Sequence, residues 1–349
     1  MISLRKMRAL GFRKSLYLPL TAFFIILICF FLYHNNSEVQ VESGGKPSSI
    51  YQSQKQELAQ VLRRASMEDR SVIITMVNKS WARPGSILEV FLQSFKSGIG
   101  THRFLNHLVI IAMDLKAFKY CKSLHSHCIH PSTLAYLSAT KKQSIMNSDH
   151  NVFSKTRINF LLEVLQLGYS IIFTDADVLW LRNPFSNFSP SMHALTISCD
   201  YYLTNDENGK ERVTIIVDGG IFFLKSNAIS VEFFKNLKLN TVLYPNSYAA
   251  ESFCTTLLNN KASVETYSMG IKYVENGYFG GFCQISNEML RNAYTIHANC
   301  CGNLTSKVHD MKNVLNDWNQ IKEHESEDNS SYKIALRWPH KCIRNFTLQ

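Results

Sequence analysis

The hydrophobic positions of residues 71–124 form short continuous runs that alternate with segments of helical spacing. Two continuous runs, Ser71–Val77 and Leu108–Met113, are rich in β-branched residues and predict buried strands. Apolar residues recur at helical spacing from Ile87 to Phe95, and Leu115–Leu124 has a second helical pattern. Because strands and helices that alternate at this rhythm are typical of parallel βαβ units, we predict an α/β fold.

The same alternation continues through the second half of the chain. A helix is predicted over Phe153–Leu167, and the strand that follows it, Ile171–Phe173, is followed closely by two acidic residues. Residues 125–150 have little periodicity, which predicts a loop over the sheet. The later segments predict strands and then helices, in the order His193–Cys199, Arg212–Val217, Ile221–Leu224, Ala228–Leu237 and Ala249–Leu258.

The amino-terminal part of the chain has the pattern of a membrane anchor. Residues 16–33 are almost wholly apolar, and the basic residues before them predict a cytosolic amino terminus. A cleaved signal peptide is the alternative, but the run is longer than a usual signal core and no small-residue cleavage site follows. We therefore predict a cytosolic tail (1–15), an uncleaved anchor (16–33), a polar stem (34–70) and a lumenal domain (71–349).

Composition narrows the class of partner. The 349 residues are 46% hydrophobic, which allows a sizeable core, and they carry a formal net charge of +10. Five positive charges precede the anchor, which leaves a charge of +5 for the rest of the chain. That diffuse charge suits an anionic small substrate, and no stripe of basic and aromatic residues predicts nucleic-acid binding.

Eight of the nine cysteines follow the anchor, in a compartment where thiols oxidise, and they allow up to four disulfides whose pairing the sequence does not give. A zinc site is the alternative for the group Cys121, His125, His127 and Cys128, but no second ligand pair follows at the spacing of a zinc finger. Six Asn-x-Ser/Thr sequons also suit a glycoprotein of the secretory pathway.

The strongest candidate for chemistry is the pair Asp175 and Asp177, which directly follows the strand pattern ending at Thr174. Two carboxylates at this spacing point to the same face of an extended chain, and a turn can bring both onto one hard cation. The carboxyl ends of the strands are also where open α/β sheets bind ligands. Asp-x-Asp alone more often marks a solvated turn, and the buried strand before it favours a site here.

Two further segments carry candidate residues, each with a structural alternative. His297 follows a late strand pattern, and Gly302 and Lys307 come shortly after it; a lone histidine in this position is more often a hydrogen-bonded structural residue. The double glycine in the segment Asp218–Gly220 suggests a close approach of the backbone to a ligand. A hairpin turn between two strands is the alternative for that segment.

Taken together, these segments resemble the plant nucleotide-diphospho-sugar transferases of glycosyltransferase family 77, which have the GT-A fold. The resemblance runs from about residue 70 to Trp318 and implies a mixed Rossmann-type sheet flanked by helices. It implies that Asp175 contacts the donor ribose and a metal, and that Asp177 binds the metal more fully. It also implies that His297 completes the metal shell and that Gly302 and Lys307 hold the diphosphate. It also implies that the donor sugar contacts the remaining residues of the donor site, Asp218, Gly219 and Gly220.

The resemblance has one departure and one close match near the expected sugar sites. Relatives commonly have His-Asp-Gln-Asp after a Tyr-Pro pair, whereas this chain has Tyr244–Glu251, in which only Glu251 can supply an acid. Glu251 is therefore a catalytic candidate, and specificity or activity is expected to differ from that of the relatives. Tyr278–Cys283 matches the family closely, and its aromatic residues either line an acceptor cleft or belong to the core.

The resulting expectation is a retaining glycosyltransferase anchored in the Golgi membrane as a single-pass type II protein. It would use Mn²⁺ or Mg²⁺, with nitrogen ligation favouring manganese, to transfer a sugar from a nucleotide diphosphate, such as a UDP-sugar, to a cell-wall glycan or glycoprotein. The alternatives are a catalytically silent carbohydrate- or nucleotide-binding protein on the same fold and a metal-dependent hydrolase. The sequence leaves open the sugar, the acceptor, the oligomeric state and the choice between a covalent intermediate and front-face attack.

Overall fold

The computed structural model describes residues 49–130, 149–186, 194–205, 211–243, 271–273, 279–282, 287–325, 337 and 339–342. Its strands are β1 (Ser71–Val77), β2 (Leu108–Ala112), β3 (Cys128–Ile129), β4 (Ser170–Thr174), β5 (Val178–Trp180), β6 (Leu195–Asn205), β7 (Glu211–Leu224), β8 (Ile271–Tyr273), β9 (Phe279–Gly281) and β10 (Thr295–His297). Its α-helices are α1 (Ser49–Ala65), α2 (Ile87–Ser97), α3 (Leu115–Leu124), α4 (Asp149–Gln166), α5 (Ala228–Leu243), α6 (Asn287–Asn292) and α7 (Leu304–Glu325), and 3₁₀ helices span His102–His107 and Pro184–Ser186.

The main sheet contains seven strands in the order β3-β2-β1-β4-β7-β6-β8. Strands β1 to β4 pair in parallel, whereas β7 pairs antiparallel with both β4 and β6. The predicted mixed α/β sheet is therefore confirmed. Strand β4 lies in the middle of this sheet, so the turn that follows it opens at the edge formed by the carboxyl ends of β1, β2 and β4.

Apolar side chains cover both faces of the main sheet, as expected for strands without polar alternation. In β1, Ile73 and Val77 pack on one face with α2, α3, α7 and the smaller sheet. Val72, Ile74 and Met76 pack on the other face with α1, α4 and α5. Since α1 contributes buried residues to the second group, part of the segment predicted as stem packs on this domain.

A smaller sheet holds the second part of the site next to β4. It has the order β5-β10-β9, in which β10 is antiparallel to β5 and parallel to β9. Helix α2 packs on this sheet through Phe95, whose ring stacks on Trp180 of β5 with 4.5 Å between centroids. The Trp180 indole N–H also donates to Thr174 Oγ1 over 3.2 Å, which ties the smaller sheet to the end of β4.

Several predicted elements lie where the sequence pattern placed them, and two do not. The structure has β1, α2 and α3 at their predicted positions. The predicted loop over 125–150 is partly wrong, because β3 and the start of α4 lie within it. The hairpin alternative for Asp218–Gly220 is also wrong, because β7 continues through both glycines without a turn. The predicted helix Ala249–Leu258 lies outside the described residues.

The prediction of oxidised cysteines is confirmed for the six cysteines within the described residues. Disulfides join Cys121 to Cys128 and Cys301 to Cys342, and Cys199 and Cys300 are disulfide-bonded as well. The bond between Cys121 and Cys128 uses both thiols of the zinc alternative, which is therefore wrong. Within the described part of the chain, no helix is long and apolar enough to cross a membrane, and the predicted anchor at 16–33 lies outside that part.

Candidate functional site

The turn after β4 holds the two acids that the sequence singled out. The backbone N–H of Asp175 donates to the carbonyl oxygen of Gly220 on β7 over 2.8 Å, and the N–H of Val178 donates to the carbonyl oxygen of Asp175 over 3.2 Å. The chain therefore turns tightly between β4 and β5. Asp175 is half-buried at the mouth of this turn, whereas Asp177 is buried.

Strand β10 brings a histidine to the same turn. His297 pairs with Val178 in the smaller sheet, and the N–H of Ala298 donates to the carbonyl oxygen of Asp177 over 3.0 Å. One ligand atom from each of Asp175, Asp177 and His297 lies within 4.8 Å of the other two. The structure thus brings together the three residues that were predicted as metal ligands.

The Asp177 carboxylate is 2% exposed and lies between two basic side chains. Its Oδ2 accepts a short hydrogen bond from the Lys307 ammonium. His297 Nε2 lies 3.2 Å from its Oδ1, close enough for an ion pair, yet Oδ1 accepts no well-oriented hydrogen bond from the described residues. A buried carboxylate oxygen without a good donor is expensive unless another group binds it, and a divalent cation meets that need.

The charged groups of this cluster shift one another's pKa values. Burial alone would raise the pKa of Asp177, but the positive charges of Lys307 and His297 outweigh it and hold that pKa well below its usual range. Burial would lower the pKa of His297, whereas the negative charge of Asp177 raises it to about 9. Without a bound cation, the cluster is therefore an ion-pair network in which two cationic groups neutralise Asp177.

Gly220 lets β7 pass directly against the cluster. Its φ is +72°, a left-handed conformation that residues with a Cβ adopt only at a cost. A Cβ at this position would lie 2.6 Å from Val178 Cγ2 and 2.9 Å from the His297 ring. The backbone therefore approaches the candidate metal ligand His297 closely, whereas its predicted approach to a bound ligand stays a prediction.

Lys307 reaches Asp177 from the first turn of α7. Asn303 caps this helix, since its side-chain oxygen accepts the N–H of Ser306 over 2.8 Å. The helix therefore begins beside the cluster and directs free N–H groups and the positive end of its dipole toward that region. The Lys307 ammonium also lies 5.3 Å from the ring centroid of Trp81, in the loop after β1.

A small cleft opens beside Asp175 and Gly220, and Arg157 lines it. The Arg157 guanidinium lies 5.5 Å from the ring centroid of Phe173, which fixes it over the end of β4. Sequence reasoning missed both Arg157 and Trp81 as residues of this region. The available signals were that Trp81 follows β1 at the carboxyl edge of the sheet and that Arg157 lies off the apolar face of α4.

The remaining predicted site residues are placed only in part. Asp218 and Gly219 lie within β7, where Asp218 pairs with Cys199, and Gly302 is exposed just before α7. Glu251 lies outside the described residues. Of the segment Tyr278–Cys283, residues 279–282 are described, and Phe279 and Phe282 are fully buried, so these two rings belong to the core and not to an acceptor cleft.

Two acids, a histidine and a lysine meet at the carboxyl ends of the parallel strands, which is where open α/β sheets bind ligands. The fold and the site therefore place the chain in the class of ligand-binding α/β proteins. The sequence model of the nucleotide-diphospho-sugar transferases matches residues 103–311, a stretch that contains all four side chains. The chain belongs to this family of nucleotide-sugar glycosyltransferases.

Relatives from Arabidopsis thaliana agree with this assignment. The uncharacterized protein At4g15970 is 30% identical over 299 residues, which cover 85% of this chain and 76% of that protein. Arabinosyltransferase RRA2 is 28% identical over 133 residues, or 37% of this chain and 27% of that protein. UDP-D-xylose:L-fucose alpha-1,3-D-xylosyltransferase MGP4 is 28% identical over 99 residues, or 27% of this chain and 26% of that protein.

Proposed function

We propose that this chain is a metal-dependent, retaining glycosyltransferase of GT-A-like fold that moves a sugar from a UDP-sugar to a cell-wall glycan or glycoprotein. The observation that carries the proposal is the cluster of Asp175, Asp177 and His297, whose ligand atoms lie within 4.8 Å of one another beside Lys307. The name of the relative MGP4 includes UDP-D-xylose, which supports a UDP-sugar as the class of donor.

The donor set suits Mn²⁺ or Mg²⁺, and the imidazole nitrogen of His297 favours Mn²⁺. Asp175, Asp177 and His297 would hold the ion. The bound ion would neutralise the negative charge that builds on the leaving nucleotide diphosphate.

The residues around the cluster would bind and orient the donor. The start of α7 offers backbone N–H groups and Lys307 to the diphosphate, an arrangement that suits an anion. The cleft beside Gly220 and Arg157 also includes Asp175, and we assign it to the donor sugar. There the backbone of β7 would meet the donor sugar, and Arg157 adds a positive charge. Asp218, also on β7, remains a candidate for binding the donor sugar.

A donor screen tests the proposed reaction. The purified chain without residues 1–48 would be incubated with Mn²⁺, a panel of UDP-sugars and candidate acceptors, and UDP release would be measured. We expect release from one UDP-pentose or UDP-hexose that rises when the correct acceptor is added. Release that no acceptor changes would indicate a hydrolase, and metal-dependent UDP binding without turnover of any donor would indicate a silent binding protein.

The proposed location is the Golgi lumen, with residues 16–33 as an uncleaved anchor and the nucleotide-sugar site on the lumenal side. We predict that protease added to intact microsomes leaves the domain from residue 71 onward uncut. Detergent should then make the same domain accessible, which controls for intrinsic resistance to the protease. Digestion without detergent would contradict the type II topology.

A further inference from the structure

The resident partner of Asp177 is itself a cation. The Lys307 ammonium forms a close ion pair with Asp177 Oδ2, and the side chains of Asp177 and Lys307 are 3% and 14% exposed. The other carboxylate oxygen, Oδ1, lies 3.2 Å from His297 Nε2. One oxygen of the predicted metal ligand therefore faces an ammonium and the other faces an imidazole before any metal arrives.

A divalent cation at Asp177 must compete with these groups. Two positive charges on one buried carboxylate repel each other strongly, because little water is present to screen them. Lys307 must therefore leave Oδ2, or weaken its contact, before the aspartate can hold a metal ion well. A neutral side chain at position 307 would remove this competition.

The Lys307 ammonium has possible partners other than Asp177. Its backbone is fixed in the first turn of α7, where its N–H donates to the carbonyl oxygen of Asn303 over 3.1 Å. Its four-carbon stem has several rotatable bonds, so the ammonium can change position while the backbone stays in place. The ammonium already lies 5.3 Å from the centroid of the Trp81 ring, whose face attracts a cation and would still be a partner after the contact with Asp177 is lost. A diphosphate at the start of α7 would be a stronger partner for the ammonium than Asp177 or Trp81.

We propose that Lys307 is a displaceable cation that blocks the metal ligand Asp177 until a nucleotide diphosphate draws it away. Lys307 thereby couples the two binding events, so that the metal and the nucleotide each bind better when the other is present. The coupling is reciprocal, and a factor of about tenfold lies within the usual range for such effects. This inference rests on the proposed function, because it assumes that the site takes a metal and a nucleotide diphosphate.

The test is calorimetric titration of MnCl₂ into the folded domain, with and without saturating UDP. Wild type is expected to bind Mn²⁺ weakly alone and much more tightly with UDP, and the release of Lys307 should supply about tenfold of that gain. Lys307→Met should bind Mn²⁺ alone about tenfold more tightly than wild type, and its gain from UDP should be about tenfold smaller than that of wild type, because the contact between the ion and the diphosphate remains. Lys307→Arg retains the positive charge and should resemble wild type in the titration without UDP.

A matched control is Lys312→Met, which makes the same replacement at an exposed position of the same helix. It should leave both affinities unchanged, and melting curves would verify that each variant is folded. If Lys307→Met binds Mn²⁺ alone no better than wild type while wild type binds Mn²⁺ tightly with UDP, the blocking role is overturned and the proposed function stands. If wild type binds no Mn²⁺ even with UDP, both are overturned.

Discussion

Replacing Asp177 by asparagine is expected to lower the rate of sugar transfer by about a hundredfold or more, equivalent to a few kcal/mol of transition-state stabilisation. Asparagine keeps the shape of the side chain, yet it removes the one carboxylate on which His297 and Lys307 converge. The metal would lose a charged ligand, and the leaving diphosphate would lose much of its charge compensation. Initial rates with a saturating UDP-sugar and Mn²⁺ measure the loss.

The matched control is Asp69→Asn, at an exposed aspartate just before β1 and therefore at the opposite edge of the main sheet. Its carboxylate accepts the N–H of Ser71 over 3.0 Å, a bond that an asparagine oxygen can also accept. This variant should retain the wild-type rate. A similar loss of rate in both variants would show that the effect at Asp177 is not specific to the site.

The burial of Asp177 also changes what its replacement should do to stability. An acid pair directly after a strand suggests a partly exposed cluster whose loss costs little stability, but the structure places Asp177 at 2% exposure and His297 at 7% exposure. Asparagine would leave two cationic groups without their counterion, so we expect the free energy of unfolding to fall by about 1–3 kcal/mol. Denaturant melts of the domain without added metal check this value.

Replacing Gly220 by alanine is expected to inactivate the site while the fold survives. The new Cβ would lie 2.6 Å from Val178 Cγ2 and 2.9 Å from the His297 ring, so β7 or the histidine must move. The left-handed φ of +72° adds about 1–2 kcal/mol of strain. We expect transfer activity to fall by about tenfold to a hundredfold, because a displacement of about 1 Å at a reacting site can lower the rate by up to about a hundredfold.

Gly168→Ala is the matched control for backbone strain. Gly168 has a similar φ of +80°, but it precedes β4 at the other end of the strand, and its added Cβ would meet only the Arg70 guanidinium, no closer than 3.4 Å. Both variants should lose stability from the positive φ, with a larger loss in Gly220→Ala because of its additional clash, whereas only Gly220→Ala should lose activity. Full activity in Gly220→Ala would contradict the close packing of β7 on His297.

The sequence predicted much of the α/β framework because its strands are buried on both faces. Continuous apolar runs such as Ser71–Val77 leave little doubt about the element, and they placed Asp175 and Asp177 at a strand end. The sequence pattern was misleading for β7, where a double glycine suggested a turn. The strand instead continues, and Gly220 gives room to the side chains of Val178 and His297.

The composition of the cluster depends on contacts that no local pattern encodes. His297 reaches Asp177 because β10 pairs with β5, and Lys307 reaches it because the next helix starts at that edge. The separation along the chain exceeds a hundred residues in both cases, so only the resemblance to a family linked them. Two contacts of Lys307 were not predicted at all: its ion pair with Asp177 and its cation–π contact with Trp81.

The central claim is that Asp175, Asp177 and His297 bind a divalent cation that holds a nucleotide diphosphate. Calorimetric binding of UDP to the wild-type domain and to Asp177→Asn, with Mn²⁺ and then with a chelator, tests it most directly. We predict that wild type binds UDP tightly only with Mn²⁺, and that Asp177→Asn loses most of this metal-dependent affinity. Equal affinity for UDP in both proteins, unchanged by the chelator, would contradict the metal site and the enzyme function built on it.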